Sequence, residues 1–200
     1  MKEVDIVPLT FSELINCAMY YPIIFVNVKN EVFPFAVLGV NGKNIYLSEE
    51  GFFKVDIIPK VVLNYPFGVI KKKRENEEEW LIVVDEICKN GNGEKLFEKS
   101  GEETSYFKAI KLELTDLALD FQRVYEFSQE IYKLGYLKSI NFNTVTKYGE
   151  VSFKNIFIGN IEVLSKIPPE KLYYLNTKGY LPIFYSIYLS VRNFKLFNLI

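Results

Sequence analysis

The chain has 200 residues, 49% of them apolar and 16% aromatic, enough for a sizeable core and far from a disordered composition. Its 24 basic and 25 acidic residues leave a net charge of −1, so no basic surface points to nucleic acid. Histidine is absent, which excludes an imidazole base or a histidine ligand. The two cysteines, Cys17 and Cys88, fall short of the roughly four Cys/His ligands of an ordinary zinc site, so neither metal nor cofactor is expected.

Met1 to Asp5 carries acidic residues and no long apolar run, so no signal peptide is expected there. Thr10 or Ser12 is placed to cap a short helix, Phe11 to Met19, with Leu14, Ile15 and Ala18 on one face. Pro22 stops it, because the residue before a proline is pushed towards extended geometry. Strands follow at Ile23 to Val26 and Phe35 to Leu38, rich in branched and aromatic side chains. The stretch Gly39 to Phe67 has turn signals at Asn41-Gly42 and Glu50-Gly51. It predicts consecutive antiparallel strands at Ile45 to Leu47 and Phe52 to Ile58, ending in the corner Tyr65-Pro66-Phe67. That corner echoes Tyr21-Pro22. Val61 to Ile70 and Trp80 to Val84 continue the strand pattern on either side of Lys71 to Glu79. There, four basic residues precede four glutamates, a hairpin tip whose charges compensate one another.

Lys89 to Gly93 and Gly101 mark turns, and from Thr104 the apolar period becomes helical. Leu114, Leu117, Phe121, Val124, Tyr125, Ile131 and Leu134 recur mostly at three- and four-residue spacing. Thr104 serves as N-cap, Phe107 packs beneath it and Gly135 suits the position after the C-cap. One long helix or two joined near Thr115 satisfy this pattern equally. Ser139 to Tyr148 alternates and pairs with Val151 to Ile158 across Gly149-Glu150. Pro168-Pro169 opens a helix over Glu170 to Thr177, closed by Gly179, and a last helix starts at Pro182 with Phe184, Ile187, Tyr188, Val191 and Phe194 on one face. Leu196 to Ile200 reads as a docked end, and Tyr180 to Val191 is too short to span a bilayer, which takes roughly 20 apolar residues. The expected fold is a single α+β domain over residues 1–200. It comprises an N-terminal, mainly antiparallel β-meander or small barrel packed against amphipathic helices, with a β-hairpin and two helices at the C-terminus.

The order of motifs carries a resemblance. Tyr21-Pro22-Ile23-Ile24-Phe25, Val37-Leu38-Gly39, Asn44-Ile45-Tyr46-Leu47 with Gly51-Phe52-Phe53, and Tyr65-Pro66-Phe67 resemble the first half of the SapC family. Val84-Asp85-Glu86, Gly93 to Phe97 and Gly101 resemble its middle. Gly135-Tyr136-Leu137 and Gly179-Tyr180-Leu181 with Leu189-Ser190-Val191 resemble its C-terminal half. Where that family carries paired arginines before Tyr-Pro-Phe this chain has Leu63 and Asn64, and Phe53 stands for its central tryptophan. The resemblance implies an association with bacterial surface-layer protein and its secretion, and assigns no reaction. An unrelated peptide-transporter permease shares the family name, and this chain lacks that protein's spans.

No residue is assigned a catalytic or metal-binding role. Tyr21, Tyr65, Phe67 and Asp85 are the candidate binding residues. The paired Tyr-Pro corners have the shape to frame a groove for a peptide, and Asp85 ends a strand within a motif. Asp85 and Glu86 point to opposite faces, so they do not form a catalytic dyad. A structural role competes at each position: a core tyrosine bonded to backbone at a turn, or an aspartate capping backbone amides. The resemblance, beside the absence of histidine and of nucleophile motifs, implies an accessory protein of surface-layer export with a surface-layer or secretion protein as partner. The two isolated cysteines suit a reduced cytoplasm. Two alternatives stand beside it: an enzyme of unassigned class using Asp85 and Tyr65, and a peptide-binding module using a sheet edge.

Overall fold

A computed structural model describes residues 1–74, 77–88, 91 and 93–198. The first compact unit is built on a capped turn. After β1 (Ile6–Pro8), Thr10 is extended and precedes a 3-10 turn, Phe11–Glu13, that runs into α1, Leu14–Ala18. Glu13 Oε1 accepts from the Thr10 N–H at 2.7 Å and from its hydroxyl at 2.9 Å, the return half of a capping box. The helix stops before Pro22 as expected, and the chain enters β2, Ile23–Val28, and β3, Glu31–Val37.

The main sheet unites the two ends of the chain. Its order is β1-β3-β2-β9-β8, where β8 is Leu137–Thr146 and β9 is Gly149–Gly159. Every pairing is antiparallel: β1 and β2 flank β3, and the late hairpin joins through Phe25 opposite Phe157. The α+β class is as expected, with a hairpin and two helices late in the chain. Of the two forms expected for the strands, the closed barrel is not adopted. Short β1 lies at one edge, ten-residue β8 lies at the other, and the sheet stays open.

The stretch Gly39 to Phe67 departs from a run of strands. It begins as expected, with β4 (Gly39–Val40) and β5 (Lys43–Asn44) joined by Asn41 and Gly42 at φ 54° and 73°, the positive angles of a tight hairpin turn. Beyond Asn44 the chain turns into the core. Ile45, Tyr46 and Leu47 are all buried, whereas a strand with one wet face would expose alternate residues. Leu47 meets Phe53 in a single bridge, Phe52 to Ile58 forms no strand, and residues 60–63 are the short helix α2, Lys60–Leu63. Side chains replace the missing ladder: the Tyr46 hydroxyl donates to the Tyr20 carbonyl at 2.8 Å and the Lys60 N–H to Glu13 Oε2 at 2.7 Å. Gly39 is fixed by contact, since a Cβ there would lie 2.3 Å from the Lys43 carbonyl oxygen. Gly39→Ala is expected to lower the unfolding free energy by about 1–3 kcal/mol in a urea titration, because backbone and not a flexible side chain must move.

β6, Phe67–Arg74, and β7, Glu77–Val84, form a separate two-stranded ribbon in which Phe67 pairs with Val84 and Lys72 with Glu79. The expected hairpin tip and the turn cluster Lys89 to Gly93 lie partly outside the described residues. α3, Ser105–Lys133, is one helix of 29 residues, and the Thr115 hydroxyl bonds the Lys111 carbonyl within it at 2.7 Å, so there is no break there. Thr104 caps its start by accepting from the Phe107 N–H at 3.2 Å. Its end is a Schellman motif, with Gly135 donating to Tyr132 at 3.0 Å and Tyr136 to Ile131 at 2.9 Å. Leu114, Leu117, Val124, Phe127 and Ile131 carry its buried stripe.

α4, Pro169–Thr177, and α5, Tyr180–Ser190, are separated by Gly179 at φ 70°, so α5 begins two residues ahead of Pro182. Tyr180 is the reason: its ring packs edge-on to Phe127 at 4.9 Å, which draws it into the helix and the core. A 3-10 segment, Val191–Asn198, then buries Phe194 and Phe197, while Leu199 and Ile200 of the expected docked end lie outside the described residues. No helix among the described residues is long and apolar enough to cross a membrane.

Candidate functional site

The Tyr-Pro-Phe corner is assembled by α2, by the ribbon and by the turn after it. Asn64 closes α2, its side-chain amide donating to the Lys60 carbonyl at 2.9 Å, and Phe67 N–H returns to the Asn64 carbonyl at 2.8 Å. The chain passes through a cis Tyr65-Pro66 bond into β6. Asp85 N–H donates to the Pro66 carbonyl at 2.9 Å, which carries the β6–β7 pairing one step further. That contact brings Asp85 beside Tyr65.

Three polar side chains meet there. The Tyr65 hydroxyl donates to Asp85 Oδ2 at 2.9 Å, the Cys88 thiol donates to the Tyr65 oxygen at 3.4 Å, and Asp85 Oδ1 accepts from the Ile87 N–H at 3.0 Å. The bond from Cys88 and the bond to Asp85 push the Tyr65 phenol well above its ordinary value, so it stays protonated and acts as a donor. Both oxygens of Asp85 already accept bonds, one of them capping a backbone amide at a strand-ending turn.

A pocket of about 400 Å³ opens beside this trio. Pro66, Phe67, Val84 and Cys88 form one wall, and Gly93 to Leu96 with Tyr106 form the other. The second wall is held by Thr104, whose hydroxyl lies 2.8 Å from the Lys95 carbonyl and 3.2 Å from that of Leu96. A second hollow, of about 510 Å³, lies further along the ribbon between Val69, Trp80 and the α3 residues Phe121 and Tyr125. Both hollows lie at the ribbon and not along the β8 edge.

Of the four residues singled out in the sequence, Tyr65, Phe67 and Asp85 come together and Tyr21 does not. Tyr21 is fully buried and its hydroxyl donates to the Ile57 carbonyl. It therefore cannot frame a groove with Tyr65. Leu63 and Asn64, which stand for the family arginines, end α2 beside this corner, with Leu63 exposed and Asn64 spent on the helix end. Phe53 is half-buried against the core.

The sequence reading passed over a second polar cluster. Asp120, buried on α3, accepts from the Ser12 N–H at 3.1 and 3.2 Å, from its hydroxyl, from Lys60 Nζ at 3.0 Å and from Arg123 at 3.5 Å. The same Lys60 offers its backbone N–H to Glu13. The signals were present: Thr10-Phe11-Ser12-Glu13 has capping-box spacing, and Asp120 interrupts the apolar stripe between Leu117 and Val124. This cluster ties α2 and the first turn to α3, which positions the Tyr65 corner from behind.

These features define an α+β protein with an open antiparallel sheet and an appended ribbon whose base carries a pocket lined mainly by apolar side chains. Residues 1–196 match the family model described as SapC, and the chain belongs to the SapC family. No curated protein and no solved structure matches it.

Proposed function

We propose that this chain is a non-enzymatic interaction protein of surface-layer protein export, a single domain working in the cytoplasm, that takes a segment of its partner at the Tyr65–Phe67–Asp85 corner. The observation that carries this reading is a pocket walled by Phe67, Val84 and Leu96 whose lining residue Cys88 is bonded to Tyr65, and through it to Asp85. Family membership supports the surface-layer context. A tyrosine held protonated suits recognition better than acid–base chemistry, which needs a group poised near the working pH. The pocket offers an apolar socket, and Asp85 offers carboxylate lone pairs to a donor.

Gentle co-purification with the tagged chain from the native host is expected to recover a surface-layer or secretion protein. Phe67→Ala and Asp85→Asn should each reduce that recovery without unfolding the chain. Recovery of the tagged protein alone would sink the reading.

A further inference from the structure

A second surface, remote in sequence from the Tyr65 corner, has the composition of an interfacial patch. α1 and α5 lie side by side and run in the same direction. Phe11 meets Tyr180 at 5.8 Å near their starts, and Asn193 Nδ2 donates to the Ala18 carbonyl at 2.8 Å near their ends. Their inward faces are consumed by the core: Leu14, Cys17 and Ala18 on α1, and Ile183, Phe184, Ile187 and Ser190 on α5. Their outward faces remain apolar. Ile15 and Met19 are 43% and 60% exposed, and Tyr185 and Leu189 are 43% and 50% exposed, a four-residue pair on each helix.

The last part of the chain, beyond Glu170, carries charges of one sign. Residues 171–198 contain Lys171, Lys178, Arg192 and Lys195 and no aspartate or glutamate, in a chain whose overall charge is −1. Exposed Lys178 precedes α5, and exposed Arg192 and Lys195 follow it. The one acid of the first turn, Glu13, is buried and bonded to Thr10 and Lys60. On α3, Glu126 shares a hollow with Arg123 and Lys178, so two cations offset it there. α5 itself has no charged residue in its 11 positions.

The geometry points to the α1–α5 face docking on the surface of an anionic lipid bilayer. Apolar side chains at the centre, tyrosine among them and lysine and arginine at the rim are the pattern of a helix pair lying in the headgroup plane. A second copy of the chain fits poorly, because a two-fold contact through this patch would gather the cations Lys178, Arg192 and Lys195 of both copies at one interface. This inference is independent of the Tyr65 corner.

Flotation of the purified chain with vesicles tests it. Phosphatidylcholine vesicles containing about 30 mol% phosphatidylglycerol are expected to carry the chain, with about tenfold less bound to phosphatidylcholine alone. Raising the salt to about 0.5 M should release most of it. The double change M19E/L189E removes apolar contact at exposed positions, and the double change R192E/K195E reverses the rim charge; each should cut binding about tenfold with an unchanged circular dichroism spectrum. L112E/L119E, on exposed leucines of α3, should leave binding intact. Equal flotation with neutral and anionic vesicles, or none with either, overturns the proposal. So does a concentration-dependent dimer that M19E/L189E abolishes, since the occupant would then be a second copy.

Discussion

Replacing Asp120 with alanine is expected to lower the unfolding free energy by about 1–3 kcal/mol, the range for leaving a buried hydrogen-bonding group without its partner. Lys60 and Arg123 are exposed enough for water to take over their charge. The carboxylate is only 6% exposed and accepts from Ser12 backbone and hydroxyl, Lys60 and Arg123. Alanine would leave the Ser12 N–H without its acceptor and the Lys60 ammonium without its counter-charge. Urea denaturation of both proteins at neutral pH measures the difference, and a loss below about 1 kcal/mol would show that water replaces the carboxylate. The effect depends on pH in a set direction. Burial works to raise the Asp120 carboxyl, but hydrogen bonds from Ser12 and Lys60 outweigh it and hold the group below its ordinary value. A depressed carboxyl adds stability that is present above its unfolded value, about 3.9, and disappears as pH falls through the folded one. The gap between the native and Asp120→Ala proteins should therefore narrow below about pH 4. Glu13 behaves oppositely: burial holds its carboxyl above the ordinary value, so its contribution is greatest in acid and fades as pH rises through the folded value. Because Glu13 is present in both proteins, its own titration largely cancels in the comparison.

The elements most legible in the sequence were those whose signals are local. Thr104 and Gly135 mark the ends of α3 because a cap and a left-handed glycine are written in single residues. The late hairpin was legible from its alternation about Gly149. Gly39 to Phe67 was misread because Ile45, Tyr46, Leu47 and Phe53 have high strand propensity, yet their burial is set by distant partners such as Tyr20 and Tyr21. The sheet order was hidden for a related reason, since Phe25 meets Phe157 across most of the chain. At the site, Tyr65 and Asp85 were named together, but not as hydrogen-bonded partners. Their hydrogen bond follows from the pairing of Phe67 with Val84, which places the flanking residues opposite one another. Asp120 was missed because a lone acid on an apolar stripe shows nothing of Ser12 or Lys60, which reach it from elsewhere in the chain.

Tyr21→Ala is expected to cost about 3–5 kcal/mol, as for other large aromatic truncations in a core, and to act well beyond the place where Tyr21 sits. Its ring is fully buried and packs edge-on to Tyr46 with centroids 4.6 Å apart. Its hydroxyl donates to the Ile57 carbonyl in a segment that has no sheet ladder of its own. Tyr46 in turn donates to the Tyr20 carbonyl, so the two tyrosines pin residues 45–58 to the sheet from opposite ends. Burial pushes both phenols well above their ordinary value, so both hydroxyls are donors at neutral pH. Tyr21→Phe separates packing from tethering. It keeps the ring and removes one hydrogen bond, so the global cost should be only about 1 kcal/mol. Limited proteolysis of that variant should nevertheless cut faster within 52–58, because the strand-less segment loses its anchor at Ile57 while the core stays closed. If Tyr21→Phe is cut no faster there than the native chain, packing around Phe53 and Tyr46 holds the segment, and the hydroxyl is not its tether. The outcome bears on the Tyr65 corner too, since α2 follows this segment directly and delivers Tyr65 to Asp85.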